Sequence, residues 1–257
     1  MRVIRTFVPN SLQNYNHLVV CEHSQATAAV DPYDADHLLT LAEDQGLRIT
    51  DIWITHEHGD HIRHLDELKA KTGARVRAPS SCQGRFQADQ WLADGDELTL
   101  GQSTAQFWAS PGHTPGHGVF YLTEPEPALI CGDTLFNAGV GNTRSGDTDT
   151  LFHSIEQLRQ RAHPETRIYP GHDYLPTNLA FTLSILPGHP PAEAMKAISD
   201  QQTPDTRLTT TLADEADINL FFRLEDDTLS QALNDKGFST DTRQDRFTAL
   251  RQLRDQW

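Results

Sequence analysis

Thr55-His56-Glu57-His58-Gly59-Asp60-His61 follows directly on Ile52-Trp53-Ile54, a β-branched and aromatic run of the kind found in buried strands. Three histidines and one aspartate therefore fall within six positions at a strand's end. Neighbouring strand residues point to opposite faces, so His56 and His58, two apart, can converge on one point. Asp60 and His61 stand where the chain turns toward the next helix and can address a second point. Imidazoles and a carboxylate are donors for divalent cations, and the charge of the ions offsets the cost of gathering these groups. One histidine in a polar turn needs no function; this tetrad points to a two-metal site.

Working outward, three further strand-to-loop junctions offer the remaining donors. Ser110-Pro111-Gly112-His113-Thr114-Pro115-Gly116-His117, Cys131-Gly132-Asp133-Thr134-Leu135-Phe136 and Tyr169-Pro170-Gly171-His172-Asp173-Tyr174 each place Gly immediately before a donor. Glycine lets the backbone turn sharply and come close to an ion. Each junction alone reads as an ordinary turn. All three, in order behind the 55–61 segment, read as a site.

Around these junctions the first 175 residues alternate short strands with a few helices. Strands are expected at Val3-Phe7, Leu18-Cys21, Ala28-Val30, Leu98-Leu100, Gln106-Ala109, Val119-Leu122, Leu129-Cys131 and Ile168-Tyr169. A helix from about Ala35 to Gln45 ends at Gly46; another, carrying Ile62, Leu65 and Leu68, ends at Gly73; a third covers about 150–161. Past Tyr174 the pattern is helical, at about 178–186, 192–199, 228–233 and 242–257, punctuated by prolines. The architecture is an α/β body followed by helices.

The composition excludes several partners. Lys and Arg total 21 against 36 Asp and Glu, a formal charge of −15, which argues against a nucleic-acid binder and against docking on anionic membrane. No apolar run approaches the roughly 20 residues that span a bilayer. The N-terminus lacks the pattern of a signal peptide. Cys21, Cys82 and Cys131 form no CxxC pair, so a reducing, cytoplasmic setting is expected. Thirteen histidines is the count that the junctions begin to explain.

Together these motifs resemble the metallo-β-lactamase superfamily, whose hallmark is HxHxDH, and within it the chain is most similar to glyoxalase II, the hydroxyacylglutathione hydrolases. The matching pieces are 55–61, 112–117, 132–136, 171–174 with Asn178-Leu179, and the closing helix Phe247-Thr248-Ala249-Leu250-Arg251-Gln252-Leu253-Arg254-Asp255. The resemblance covers essentially the whole chain. It implies an α/β fold, an αβ/βα sandwich with ions at one edge between two sheets: a catalytic domain at 1–174 and a helical substrate-binding domain at 175–257. It implies two divalent metal ions per chain, zinc first, with iron or manganese as alternatives. One is held by His56, His58 and His113 and the second by Asp60, His61 and His172, with Asp133 bridging. His117 belongs to the motif as a structural residue.

The implied reaction is hydrolysis of S-D-lactoylglutathione to glutathione and D-lactate, a step of methylglyoxal detoxification, by a metal-bridging hydroxide with Asp60 and Asp133 at the reacting centre. No GxSxG elbow offers a serine nucleophile, and a thiolate leaving group, with a free-thiol pKa of about 8.5, needs little help to depart. Substrate contacts implied by position are Asn142, Arg144, Tyr174, Arg251 and Arg254. Arg251 and Arg254, three apart, can share one helix face and clamp a glycyl carboxylate, unless that face is simply solvated. The stretch Gly139-Val140-Gly141-Asn142-Thr143-Arg144-Ser145-Gly146 departs from the family, which has a basic residue at the Asn142 position and an aromatic where Arg144 stands. That departure leaves open hydrolysis of another thioester or lactone. A mononuclear iron persulfide dioxygenase, which shares the superfamily fold and the first ligand set, is a second alternative. A binding or regulatory protein on a decayed enzyme fold is a third, against which stands the presence of all seven candidate ligands. A monomer is expected, with four Arg against two Asp in 243–257 forming a positive pocket on an acidic chain.

Overall fold

A computed structural model describes residues 1–257. Six strands form the first sheet in sequential order: β1 (Arg2–Phe7), β2 (Tyr15–Val20), β3 (Ala26–Val30), β4 (Arg48–Trp53), β5 (Arg75–Pro79) and β6 (Gln90–Leu92). The first three are antiparallel and the last three run parallel to β3. The second sheet follows from β7 (Glu97–Leu100), β8 (Ser103–Ala109), β9 (Gly118–Leu122) and β10 (Ala128–Gly132). A small hairpin, β11 (Leu135–Phe136) and β12 (Gly139–Val140), leads to a helix, and β13 (Arg167–Pro170) closes that sheet in the order β13-β10-β9-β8-β7.

Side-chain alternation along the strands sorts the core into layers. Val19, Val30 and Trp53 on one sheet meet Phe107, Phe120 and Ile130 on the other, with Trp53 stacked on Phe120 at 4.8 Å. The opposite face of the first sheet, with Leu18, Ile52, Ile54 and Val76, is covered by α1 (Ala35–Asp44) and α2 (Leu65–Thr72). The outer face of the second sheet, with Trp108, Val119 and Leu129, is covered by α3 (Thr148–Arg161) and by the five C-terminal helices, of which all but the second reach this core. These are α4 (Leu175–Ile185), α5 (Pro190–Ser199), α6 (Leu212–Ile218), α7 (Asp227–Asn234) and α8 (Arg243–Gln256). The result is an αβ/βα sandwich whose largest core cluster, 26 buried residues, joins the second sheet to the helical segment.

Most expected elements lie within a few residues of their observed bounds. Gly46 and Gly73 follow α1 and α2 with φ of 64° and 68°, the left-handed stop that glycine allows. Five elements are additions: β5, β6, the two strands of the β11-β12 hairpin and α6. β5 is masked by Arg75 and Arg77, although Arg77 is only 2% exposed. The short edge strand β6 has weak alternation, and α6 is largely acidic. The second helix begins at Leu65, leaving Ile62 in an irregular segment between the 55–61 motif and α2.

Candidate metal centre

β4, β8, β10 and β13 end at the same edge of the sandwich, and the loops leaving them carry the donors. The ligand atoms of His56, His58, His113 and Asp133 all lie within 4.8 Å of one another; those of Asp60, His61 and His172 form a second such group. Asp133 stands between them. Its Oδ2 is 3.5 Å from His113 Nε2, while its Oδ1 is 3.4 Å from His61 Nε2 and 3.3 Å from His172 Nε2. Asp60 Oδ2 approaches the same two imidazoles at 3.4 and 3.5 Å. This crowding needs Gly171, where a Cβ would come within 2.6 Å of Asp133 Oδ1 and 2.7 Å of His61 Cε1.

The far nitrogens of these rings are fixed by the protein, which decides which nitrogen faces the centre. His61 Nδ1 meets Asp31 Oδ2 at 2.8 Å, His113 Nδ1 meets the Asn142 carbonyl at 2.7 Å, and His172 Nδ1 meets the Leu12 carbonyl at 2.8 Å. His58 lies the other way round, with Nε2 3.2 Å from Ser145 Oγ and Nδ1 3.0 Å from His113 Nε2. Asp60 Oδ2 accepts from Asn14 Nδ2 at 2.9 Å. His117 is buried behind the cluster: its Nε2 accepts the Asp133 N–H at 2.9 Å and its Nδ1 faces Ser110 and Thr134 hydroxyls.

Asp31, Asn14 and Ser145 were not singled out in the sequence. Asp31 carried a usable signal, an acid directly after the apolar strand β3. Its φ of 48° and its bonds from Thr55 N–H and Oγ1 aim the remaining carboxylate capacity at His61.

The electrostatics fit a cation centre. Burial holds the His56 and His117 imidazoles well below the ordinary range, so they are neutral. Burial would raise the Asp133 carboxyl, but the facing His172 and His61 bring it well below the usual carboxylate range. His56 Nε2 and Asp133 Oδ1 are buried with no hydrogen-bond partner, which is unfavourable unless an ion shares them. Burial also lowers the His113 imidazole. At His61 burial is outweighed by the Asp133 and Asp31 carboxylates, which hold the imidazole well above the ordinary range, a positive charge that a bound cation would supply instead. Imidazoles and ionised carboxylates, with no thiolate among them, fit divalent metal ions.

The five residues expected at the substrate have different surroundings. The Tyr174 ring lies parallel to His172 with centroids 5.0 Å apart, and burial, then Asp133 and Asp60, push its phenol up to about 12, so it keeps its proton. Arg254 is half-buried beside the Phe181 and Trp257 rings, with Nη2 3.3 Å from Asn178 Oδ1. Arg144 is exposed. Asn142 holds His113 through its carbonyl, and its Oδ1 accepts the Arg144 N–H at 3.2 Å. Arg251 does not join Arg254 on an open face. It is 4% exposed and its Nη1 donates to the Val140 and Gly141 carbonyls at 3.1 and 3.0 Å, while Nη2 pairs with Asp255 at 2.7 Å. The reason is packing: α8 turns this position inward beside Phe221. The expected basic pocket is thinned further, because Arg243 pairs with Glu156 and Glu225 and Arg246 donates to the Thr240 and Leu224 carbonyls.

Comparison with known proteins agrees with this geometry. Residues 26–159 match the metallo-β-lactamase superfamily model, and residues 173–257 match the model of the hydroxyacylglutathione hydrolase C-terminus. A hydroxyacylglutathione hydrolase of Nitrosococcus oceani is 36% identical, with 100% of each chain covered. Among solved structures, ETHE1 from Myxococcus xanthus aligns with a TM-score of 0.63 at 27% identity, covering 84% of this chain and 83% of that one. A chain solved in a di-iron-bound form aligns with a TM-score of 0.61 at 25% identity, covering 85% and 99%. Two donor clusters bridged by one aspartate at the edge of an αβ/βα sandwich, full-length identity and the matching C-terminal helices lead to one conclusion: the chain belongs to the hydroxyacylglutathione hydrolase family of the metallo-β-lactamase superfamily.

Proposed function

We propose that the protein is a metal-dependent thioester hydrolase that cleaves S-D-lactoylglutathione, and S-2-hydroxyacylglutathiones generally, to glutathione and the 2-hydroxy acid. The observation that carries this reading is the placement of Tyr174 parallel to His172 at the donor cluster, with Arg254 of α8 close to Tyr174. His56, His58 and His113 would hold one divalent cation, Asp60, His61 and His172 the other, and Asp133 would span both. Bound there, such ions lower the pKa of water from about 15.7 toward 7 and polarise a carbonyl. Zinc is the first metal to test, followed by iron and manganese, since the donor set suits all three.

The chain's own groups do the rest. Asp31, Asn14, Ser145 and the Leu12 and Asn142 carbonyls hold the donors in orientation before substrate arrives. Asp60 and Asp133 are the carboxylates at the reacting centre. The protonated Tyr174 phenol donates a hydrogen bond, while Arg254 and the exposed Arg144 face the carboxylates of glutathione. Asn142 takes a place at the rim rather than supplying charge. The departing thiolate needs no side-chain acid. The catalytic part is assigned to 1–174, and the helical part at 175–257 adds Arg254 to the substrate contacts. Three buried, unpaired cysteines support a reducing, cytoplasmic setting.

Loss of thioester absorbance on S-D-lactoylglutathione, with metal content measured on the same preparation, tests the reading. Turnover that tracks metal content and disappears in His58→Ala and Asp133→Ala supports it. Metal-replete protein that leaves this substrate intact but opens another thioester or a lactone refutes the substrate. Oxygen uptake with glutathione persulfide and one iron per chain refutes the reaction class.

A further inference from the structure

The segment from Asp133 to Asn142 touches both donor clusters, yet most of what holds it lies elsewhere. β11 and β12 pair Leu135 with Val140 and Phe136 with Gly139 around a tight turn in which Ala138 has φ 58°, a conformation disfavoured for a residue with a Cβ. At the centre end, the Gly141 N–H donates to the Thr134 carbonyl at 3.1 Å, and a Cβ at Gly141 would lie 2.0 Å from the Asp133 carbonyl oxygen. The next carbonyl, of Asn142, is the one that orients His113 Nδ1.

The outward polar groups of this strap are taken by the C-terminal helices. The Ala138 N–H donates to both Glu215 oxygens at 2.9 and 3.1 Å, the Gly139 carbonyl accepts from Asn219 Nδ2 at 3.2 Å, and the Val140 and Gly141 carbonyls accept from Arg251. Glu215 and Asn219 are 0% exposed and bonded to each other at 2.8 Å. A disfavoured turn persists only where its surroundings over-determine it, and these side chains do so.

We infer that Glu215, Asn219 and Arg251 are positioning residues. They clamp residues 138–141 and thereby set Asp133 and His113, so the helical segment shapes the metal centre as well as meeting substrate. The inference rests on the proposed ligand roles of His113 and Asp133. Groups that orient ligands typically change metal affinity by 10–100-fold when removed.

The test uses the full chain stripped of metal and titrated with cobalt(II) against a chelator, with the visible cobalt spectrum recorded and kcat and KM measured after reloading. Arg251→Met keeps the apolar stem and removes both carbonyl contacts; Asn219→Ser removes the Gly139 contact and serves if the first variant does not fold. Expected are about tenfold weaker cobalt binding, an altered spectrum and a fall in kcat of about tenfold with KM within about threefold, partly restored in Arg251→Lys. Cobalt affinity within twofold of the parent and an unchanged spectrum in both variants would overturn the inference. So would a rise in KM alone, which would return Arg251 to direct substrate contact. His113→Ala separates the two levels: if it too leaves cobalt affinity unchanged, the ligand assignment falls and this inference with it; if it weakens binding while Arg251→Met and Asn219→Ser do not, only the clamp falls.

Discussion

Arg207 and Asp173 form a buried ion pair that fastens the residue after His172 to the helical segment, and Arg207→Met should cost the protein about 3–5 kcal/mol. Their side chains are 7% and 3% exposed. Arg207 Nε donates to both Asp173 oxygens at 3.0 and 3.2 Å, Nη2 donates at 3.0 Å, and Nη1 reaches Ser199 Oγ at 3.1 Å and the Gln202 carbonyl at 3.2 Å. Methionine replaces the stem, so little apolar packing is lost; the loss is that of a cation facing a buried carboxylate. Coulomb attraction alone would not make the pair stabilising, because both ions are desolvated, but removing one partner leaves the other charge buried and unmatched. At roughly 2–4 °C per kcal/mol for a chain of this size, the melting temperature should fall by about 10 °C. Urea unfolding of metal-free protein followed by far-UV circular dichroism measures the cost directly. Asp173→Asn on the Arg207→Met background should recover part of it, since the stranded charge is then gone. Lys71, whose partners Asp36 and Glu67 are exposed, is the control: Lys71→Met should leave the melting point in place. A shift for Arg207→Met no larger than that of Lys71→Met would refute the reasoning.

Burial pushes the Glu215 carboxyl from 4.5 up to about 7, against the opposing donors Thr210, Ala138 N–H and Asn219. A folded-state pKa above the unfolded one means stability is fully present below about pH 4.5 and lost as pH rises through about 7. Relative to Glu215→Gln, the parent should therefore lose about 3 kcal/mol between those limits, read from urea midpoints at pH 4.5 and 8; a constant difference would count against it. Phe247 is 0% exposed and meets Phe152 and Phe221 edge-on at 5.4 and 5.0 Å, so Phe247→Ala should cost about 3–5 kcal/mol and still unfold in one transition, whereas a separate early melt of the helices would show that the shared core is not cooperative. Asp31→Asn should weaken binding of one of two equivalents of cobalt(II) by about 10–100-fold through His61, and equal weakening of neither site in a chelator competition would remove Asp31 from the centre's support.

The parts of the centre that could be read from sequence are those with local punctuation. A strand end, a glycine and a donor recur at 112–113, 132–133 and 171–172, and alternation on either side predicts the strands that deliver them. The parts that could not be read are those whose meaning depends on depth. Arg75-Val76-Arg77-Ala78 looks like a solvated edge, yet Arg77 pairs in register with Trp53 and reaches Asp51 at 3.3 Å inside the sandwich. Leu212-Ala213-Asp214-Glu215 looks like an acidic loop, although Thr211 and Asp214 form a capping box that marks a helix start. Glu215, the least core-like residue of that stretch by type, is the one completely buried.

Arg251 and Arg254 show why spacing alone stops short of function. Three residues apart on α8, they do share a side of the helix, as periodicity requires. Side chains on one helix side still differ in depth when the neighbouring surface is inclined to the helix axis. Here the wall is formed by Phe221 and the 138–141 strap under Arg251, and by Phe181 and Trp257 beside Arg254. The first guanidinium is enclosed and must satisfy its donors on backbone carbonyls, because a buried cation without partners is costly. The second keeps a half-exposed head near Tyr174 and is available to an anion. One basic motif thus divides into a buried guanidinium bonded to the 138–141 strap and a half-exposed one that, under the proposed function, is left for the substrate. The division predicts opposite kinetic signatures: Arg254→Met should raise KM for a glutathione thioester with kcat little changed, and Arg251→Met should lower kcat with KM little changed. Indistinguishable signatures in steady-state assays of the two variants would mean that depth does not separate their roles.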